Sequence, residues 1–80
     1  MIINVKYFGL VADITKKNEE QLFFESEVFT IKQVQSNLEE LYPEIKNTTY
    51  SFAVNQSITQ SNIEIKNNDE IALLPPFAGG

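Results

Sequence analysis

The most usable chemistry in this chain sits in its last six residues, Pro75-Pro76-Phe77-Ala78-Gly79-Gly80. The reactive group there is the α-carboxylate of Gly80. Its ordinary pKa of about 3.3–3.7 leaves it ionised near neutrality. A carboxylate is a poor acyl donor until ATP converts it to an acyl-adenylate. Glycine at 79 and 80 carries no Cβ, so the end can enter a narrow channel and adopt φ angles closed to other residues. Pro75-Pro76 cannot continue a central strand, and two prolines in a row favour a stiff, extended spacer. Six residues past Leu74 reach about 20 Å at most. Phe77, an apolar residue beyond that spacer, calls for a pocket on another protein.

Elsewhere the inventory is sparse. The 80 residues include no Cys and no His, and all six basic residues are Lys. Thiolate metal sites, iron–sulfur ligation and disulfides are therefore closed to this chain. It lacks a side chain that titrates unperturbed between pH 5 and 8. It also lacks the guanidinium fork that grips phosphate. Ser, Thr and Lys remain as nucleophiles without an evident base. This argues against an autonomous active site and for partners that supply the catalytic groups. Eleven acidic residues against six Lys give a net charge of −5. Phosphate binding needs a basic patch, so nucleic acid is not an expected partner. No secretory signal or long apolar run appears, so neither is a membrane, and a cytoplasmic location is expected.

The tail must be presented by a small domain. "IINVKY" alternates, with Ile3, Val5 and Tyr7 on one face, and reads as a strand ending near Gly9. "LVADITKKNEE" loses its period and reads as a loop with at most one helical turn over residues 10–14. "QLFFES" reads as a second strand, with Leu22 and Phe24 inward and Phe23 outward. Thr30 and Gln33 have capping-box spacing, and Phe29 and Val34 the spacing of a hydrophobic staple. Ile31, Val34, Leu38 and Leu41 then form one helical stripe, which Pro43 ends near Tyr42. "YSFAVN" alternates again through Tyr50, Phe52 and Val54, and Asn55-Gln56 fits a tight hairpin turn. Asn67-Asn68-Asp69 is a turn cluster before a last strand, Glu70–Leu74. Its apolar run Ile71–Leu74 suits a central strand. One helix across one mixed sheet is a two-layer α+β domain, residues 1–74, followed by an extended tail, 75–80.

"DEIALLPPFAGG" (69–80) resembles the C-terminal signature of the MoaD-like sulfur carriers, the small subunits of molybdopterin synthase. "FAVNQ" (52–56) resembles the segment before that family's penultimate hairpin, and "VKYFG" (5–9) its first strand. The resemblance implies a β-grasp (ubiquitin-like) fold of about five strands and one main helix, with the last strand central and parallel to the first. It implies that an activating enzyme adenylates Gly80 with ATP and that a sulfur donor converts the adenylate to a thiocarboxylate. The large synthase subunit would then receive Gly79 through a tail lined by Pro75, Pro76, Phe77 and Ala78. There the sulfur passes to a cyclic pyranopterin monophosphate, in a complex of two small and two large subunits. The chain itself is expected to bind no cofactor and no metal. Ala12 stands where relatives often carry a basic residue, which removes any contact made by that side chain.

Three other outcomes share this tail or fold. A carrier for thiamine thiazole or another sulfur-containing metabolite also ends in Gly-Gly, commonly without the two prolines. A ubiquitin-like modifier would join Gly80 to a lysine of a target through the same acyl-adenylate. A β-grasp interaction module would leave the tail idle. Phe8, Leu73 and Leu74 are expected docking-surface residues. Glu19-Glu20 and Glu39-Glu40 read as solvated faces. Lys16-Lys17 is too short for a nucleic-acid patch, and Asn55 reads as a turn residue.

Overall fold

The computed structural model describes residues 1–26 and 29–76. The first strand, β1 (Ile2–Tyr7), is followed by helix α1 (Gly9–Thr15) and strand β2 (Glu19–Phe23). A two-residue strand β3 (Phe29–Thr30) leads into the main helix α2 (Ile31–Leu41) and a 3₁₀ turn (Pro43–Asn47). Strands β4 (Ser51–Val54), β5 (Ser57–Thr59), β6 (Glu64–Ile65) and β7 (Glu70–Leu74) complete the order.

Five strands form one mixed sheet in the order β2-β1-β7-β4-β5, and β3 pairs with β6 in a second, two-stranded sheet. β7 lies in the centre, parallel to β1 and antiparallel to β4. This is the β-grasp arrangement, and the α+β expectation holds. Ile3, Val5, Tyr7, Ile71, Leu73 and Phe52 project from the sheet into the core. Ile31, Val34 and Leu38 of α2 meet them from the other layer.

Local signals explain α2. The Thr30 side chain accepts from the Gln33 N–H at 3.4 Å, while Gln33 Oε1 accepts from the Thr30 N–H at 2.8 Å. The next free donors are also satisfied: Ile31 N–H bonds Ile63 O, and Lys32 N–H bonds Asn62 Oδ1. The expected end at Tyr42 holds, but Leu41 does not join the apolar stripe and is 53% exposed. Tyr42 takes the inward place instead, edge-on to Tyr7 at 6.0 Å between ring centroids. Phe29 stacks on Phe24, with centroids 4.2 Å apart.

Residues 10–14 form more than the single turn expected. α1 runs for seven residues, with Val11 and Thr15 buried one turn apart. It ends on Lys16 in the left-handed region, φ 61°. The Asn55-Gln56 turn is as expected: both residues have positive φ, and Val54 faces Ser57 across a two-residue loop.

Candidate docking face and tail exit

Strand alternation decides which residues of β7 can meet a partner. Ile71 and Leu73 point toward α2; Glu70, Ala72 and Leu74 point to the opposite face. Register then adds neighbours to that outer face. Ala53 lies opposite Ala72, Ile58 opposite Ala53, and Lys6 opposite Ala72. Together with Phe8 they line a shallow apolar depression of about 410 Å³. Phe8 is 44% and Ile58 52% exposed. Scattered apolar side chains are ordinary on surfaces, but a contiguous group on one sheet face is the sort that marks an interaction site.

The rim of this face is charged. Lys6 Nζ and Glu70 Oε1 form an ion pair at 3.0 Å. The hydrogen bond to Glu70 and its charge push the Lys6 ammonium pKa upward, with Glu19 adding a smaller pull. Asn55 locks the same rim: its Oδ1 accepts from the Glu70 N–H at 2.9 Å, and its Nδ2 donates to Asp69 at 3.0 Å. It is thus both a turn residue and a clamp on the start of β7.

The tail leaves from the edge of this face. β7 ends at Leu74, and Pro75 and Pro76 are exposed. The Phe8 N–H bonds the Leu73 carbonyl at 3.2 Å, the last tie between β1 and β7. A second groove, about 420 Å³, is lined by Leu10, Val11, Asn47–Thr49 and both prolines. Phe8 lines both depressions and joins them.

Of the three expected docking residues, Phe8 and Leu74 lie on the outer face. Leu73 does not: it is fully buried, because alternation turns it into the core opposite Tyr7. Phe77, Ala78, Gly79 and Gly80 lie outside the described residues. Ile58, Ala53 and Ala72 were not singled out in the sequence. A two-residue Asn55-Gln56 turn fixes the β4–β5 register, and that signal would have placed Ile58 beside Ala53.

The expected solvation of Glu20 is also corrected. Register places it beside Val5 on the helix side of the sheet. There its carboxylate accepts from the Tyr7 hydroxyl, from Tyr42 at 2.7 Å and from Lys17 at 3.1 Å. Burial alone would raise the Glu20 pKa, but these donors outweigh it and hold the carboxyl below its usual range. Among the described residues, no cluster of three or more Asp, Glu, His or Cys side chains could hold a metal. Nor is any described helix long and apolar enough to cross a membrane.

Residues 5–80 match the ThiS family. The chain belongs to that family. Solved structures share the fold of this ThiS-family chain. It is similar to a putative molybdopterin converting factor subunit 1 from Pyrococcus furiosus, with TM-score 0.86 and 17% identity over 96% of this chain and 99% of that one. It is similar to the small archaeal modifier protein 1 of Haloferax volcanii, with TM-score 0.82 and 15% identity over 95% of this chain and 98% of that one. A chain from the complex of subunits 1 and 2 of molybdopterin-converting factor of Helicobacter pylori 26695 is 25% identical, with TM-score 0.68 and full coverage of both chains. The fold is that of a MoaD/ThiS-like sulfur carrier or ubiquitin-like modifier.

Proposed function

We propose that this chain is the sulfur-donating small subunit of a molybdopterin synthase, and that Gly80 carries the sulfur. The observation that carries the reading is the family match running through Gly80, behind a central strand that releases two exposed prolines beside an apolar face. The Helicobacter pylori likeness favours a large-subunit partner, since that structure is a complex of subunits 1 and 2.

The proposed cycle needs little from the carrier itself. A Gly80 carboxylate oxygen attacks the α-phosphorus of ATP, and pyrophosphate leaves. A hydrosulfide-equivalent donor attacks the acyl carbon, and AMP leaves with the bonding pair. The thiocarboxylate sulfur then attacks a carbon of the cyclic pyranopterin monophosphate, and a C–O bond at that carbon breaks, the oxygen leaving with the bonding pair. Water next attacks the acyl carbon and the acyl C–S bond breaks, which returns the Gly80 carboxylate and leaves the sulfur on the pterin as a thiolate. Gly79 admits the end to the partner's site, and Pro75, Pro76, Phe77 and Ala78 line the inserted tail. Phe8, Leu74 and Ile58 dock the domain. ATP and sulfur come through an adenylating activating enzyme, and two small subunits serve two large ones in the cytoplasm.

A second reading has its own support: the likeness to the Haloferax volcanii modifier extends over nearly the whole chain. A modifier would pass the acyl-adenylate to a lysine rather than to sulfur. A carrier for thiamine or another metabolite uses the same activated end. A pull-down with the tag at Met1 separates them. Co-purification of a pterin-binding large subunit in comparable amount is expected. Recovery of a thiazole synthase, or of proteins joined covalently to Gly80, would move the function to another branch. Deletion of Gly80 is expected to leave the thermal melt unchanged and to abolish sulfur transfer; normal transfer by that variant would remove the mechanism.

A further inference from the structure

The tail's stiff spacer is exposed, but one side of its first proline rests on the domain. Pro75 lies against Gly9, the residue that turns β1 into α1. Gly9 has φ +59°, a conformation that side chains rarely adopt. A Cβ built there would stand 3.2 Å from Pro75 Cγ and 3.6 Å from its Cβ. That is closer than a carbon contact settles without displacement, and a proline ring cannot rotate away. Glycine at position 9 thus answers two demands at once, one from the backbone and one from the tail.

We propose that Gly9 is a positioning residue for the tail: its missing side chain seats Pro75 on the β1–α1 turn and so fixes the direction in which the tail leaves. The inference rests on the carrier reading above. Leu10 and Val11, which follow Gly9, and Asn47–Thr49 line the same groove as Pro75 and Pro76. The Phe8–Leu73 backbone bond holds the turn and the strand end together just before the seat. Because Pro75-Pro76 is stiff, a tilt at Pro75 is passed along the spacer rather than absorbed. The docking face and the seat are separate in their effects. The face decides how tightly the domain is held; the seat decides where the reacting end arrives.

That separation gives the test. ATP–pyrophosphate exchange by the cognate activating enzyme reads adenylation at Gly80, with the whole carrier as varied substrate. Gly9→Ala is expected to lower kcat about tenfold with KM unchanged, as misplacement of a reacting group does. Pro75→Ala leaves the Gly9 backbone untouched, so it tests the seat even if Gly9→Ala fails to fold. It too is expected to lower kcat at constant KM. It also removes the closest atom, so adding Gly9→Ala to it should cost less than about threefold more. Equal losses from Gly9→Ala in both backgrounds, a change confined to KM, or an unchanged kcat would overturn the proposal. Deletion of Gly80 is the control for the carrier reading: full exchange without Gly80 sinks that reading. Abolished exchange without Gly80 but normal exchange by both seat variants sinks only the inference drawn here. A nuclear Overhauser contact between Gly9 Hα and the Pro75 ring is expected in the free wild-type chain, and its absence would also overturn the seat.

Discussion

Glu20 shows how much one side chain can depend on its register. Its carboxylate gathers Tyr7, Tyr42 and Lys17, and ties β1, β2 and the end of α2 together. Glu20→Ala would leave the buried Tyr7 hydroxyl without an acceptor, at a cost of about 2 kcal/mol by chemical denaturation. The folded pKa of Glu20 is depressed. Its contribution is therefore complete above the unfolded value of about 4.3 and is lost as pH falls through the folded one. Tyr7 and Tyr50 shift the other way: burial is the main cause, and it pushes Tyr50 up to about 12. Stability from these phenols persists below the unfolded value of about 10 and declines as pH rises beyond it. Stability plotted against pH should fall at both ends, and Glu20→Gln should flatten the acid limb and, because the Glu20 carboxylate also helps raise Tyr7, ease the alkaline one. An unchanged acid limb in that variant would assign the loss to other carboxylates. The pair Glu19-Glu20 could not announce this from sequence. Two adjacent carboxylates on a strand face opposite ways, and only the pairing with β1 says which one is inside.

Elements were legible where their signals were local. The capping box of α2 is spelled out by Thr30 and Gln33, and both of its hydrogen bonds form. Thr30→Ala should cost about 1 kcal/mol in a thermal or urea melt. The Asn55-Gln56 turn was legible for the same reason. β3 and β6 were not, because two-residue strands carry no period and exist only through a pairing between residues 29–30 and 64–65. α1 was read as one turn at most because its inward face is short; Val11 and Thr15, four apart, are its only buried pair. Its last turn closes on Lys16 in the left-handed region, where a side chain is crowded. Lys16→Gly should therefore raise stability by about 1 kcal/mol, read as a higher urea midpoint at constant slope. A lower midpoint would mean that the added freedom of the unfolded chain outweighs the relief.

At the scale of the molecule, alternation predicted which faces exist but not which strands adjoin. The class followed from pattern, whereas the order β2-β1-β7-β4-β5 was anticipated only through the family resemblance. That order assembles the outer face from four strands, and so hid Ile58 and Ala53 from a reading along the chain. Ile58→Asp leaves the core untouched. It should weaken binding to the large subunit proposed above by at least about tenfold in titration calorimetry, with the melt unchanged. Unchanged affinity would move the docking site elsewhere. The central place of β7 has a further consequence, for the order of events during synthesis. β1 and β4 are both edges until residues 70–74 leave the ribosome. The sheet cannot close before β7 is made, so the core that β1, β4 and α2 share assembles late in the synthesis of residues 1–74. Translation that stalls before residue 70 would yield a nascent fragment with two unpaired strand edges, a target for a chaperone or a protease.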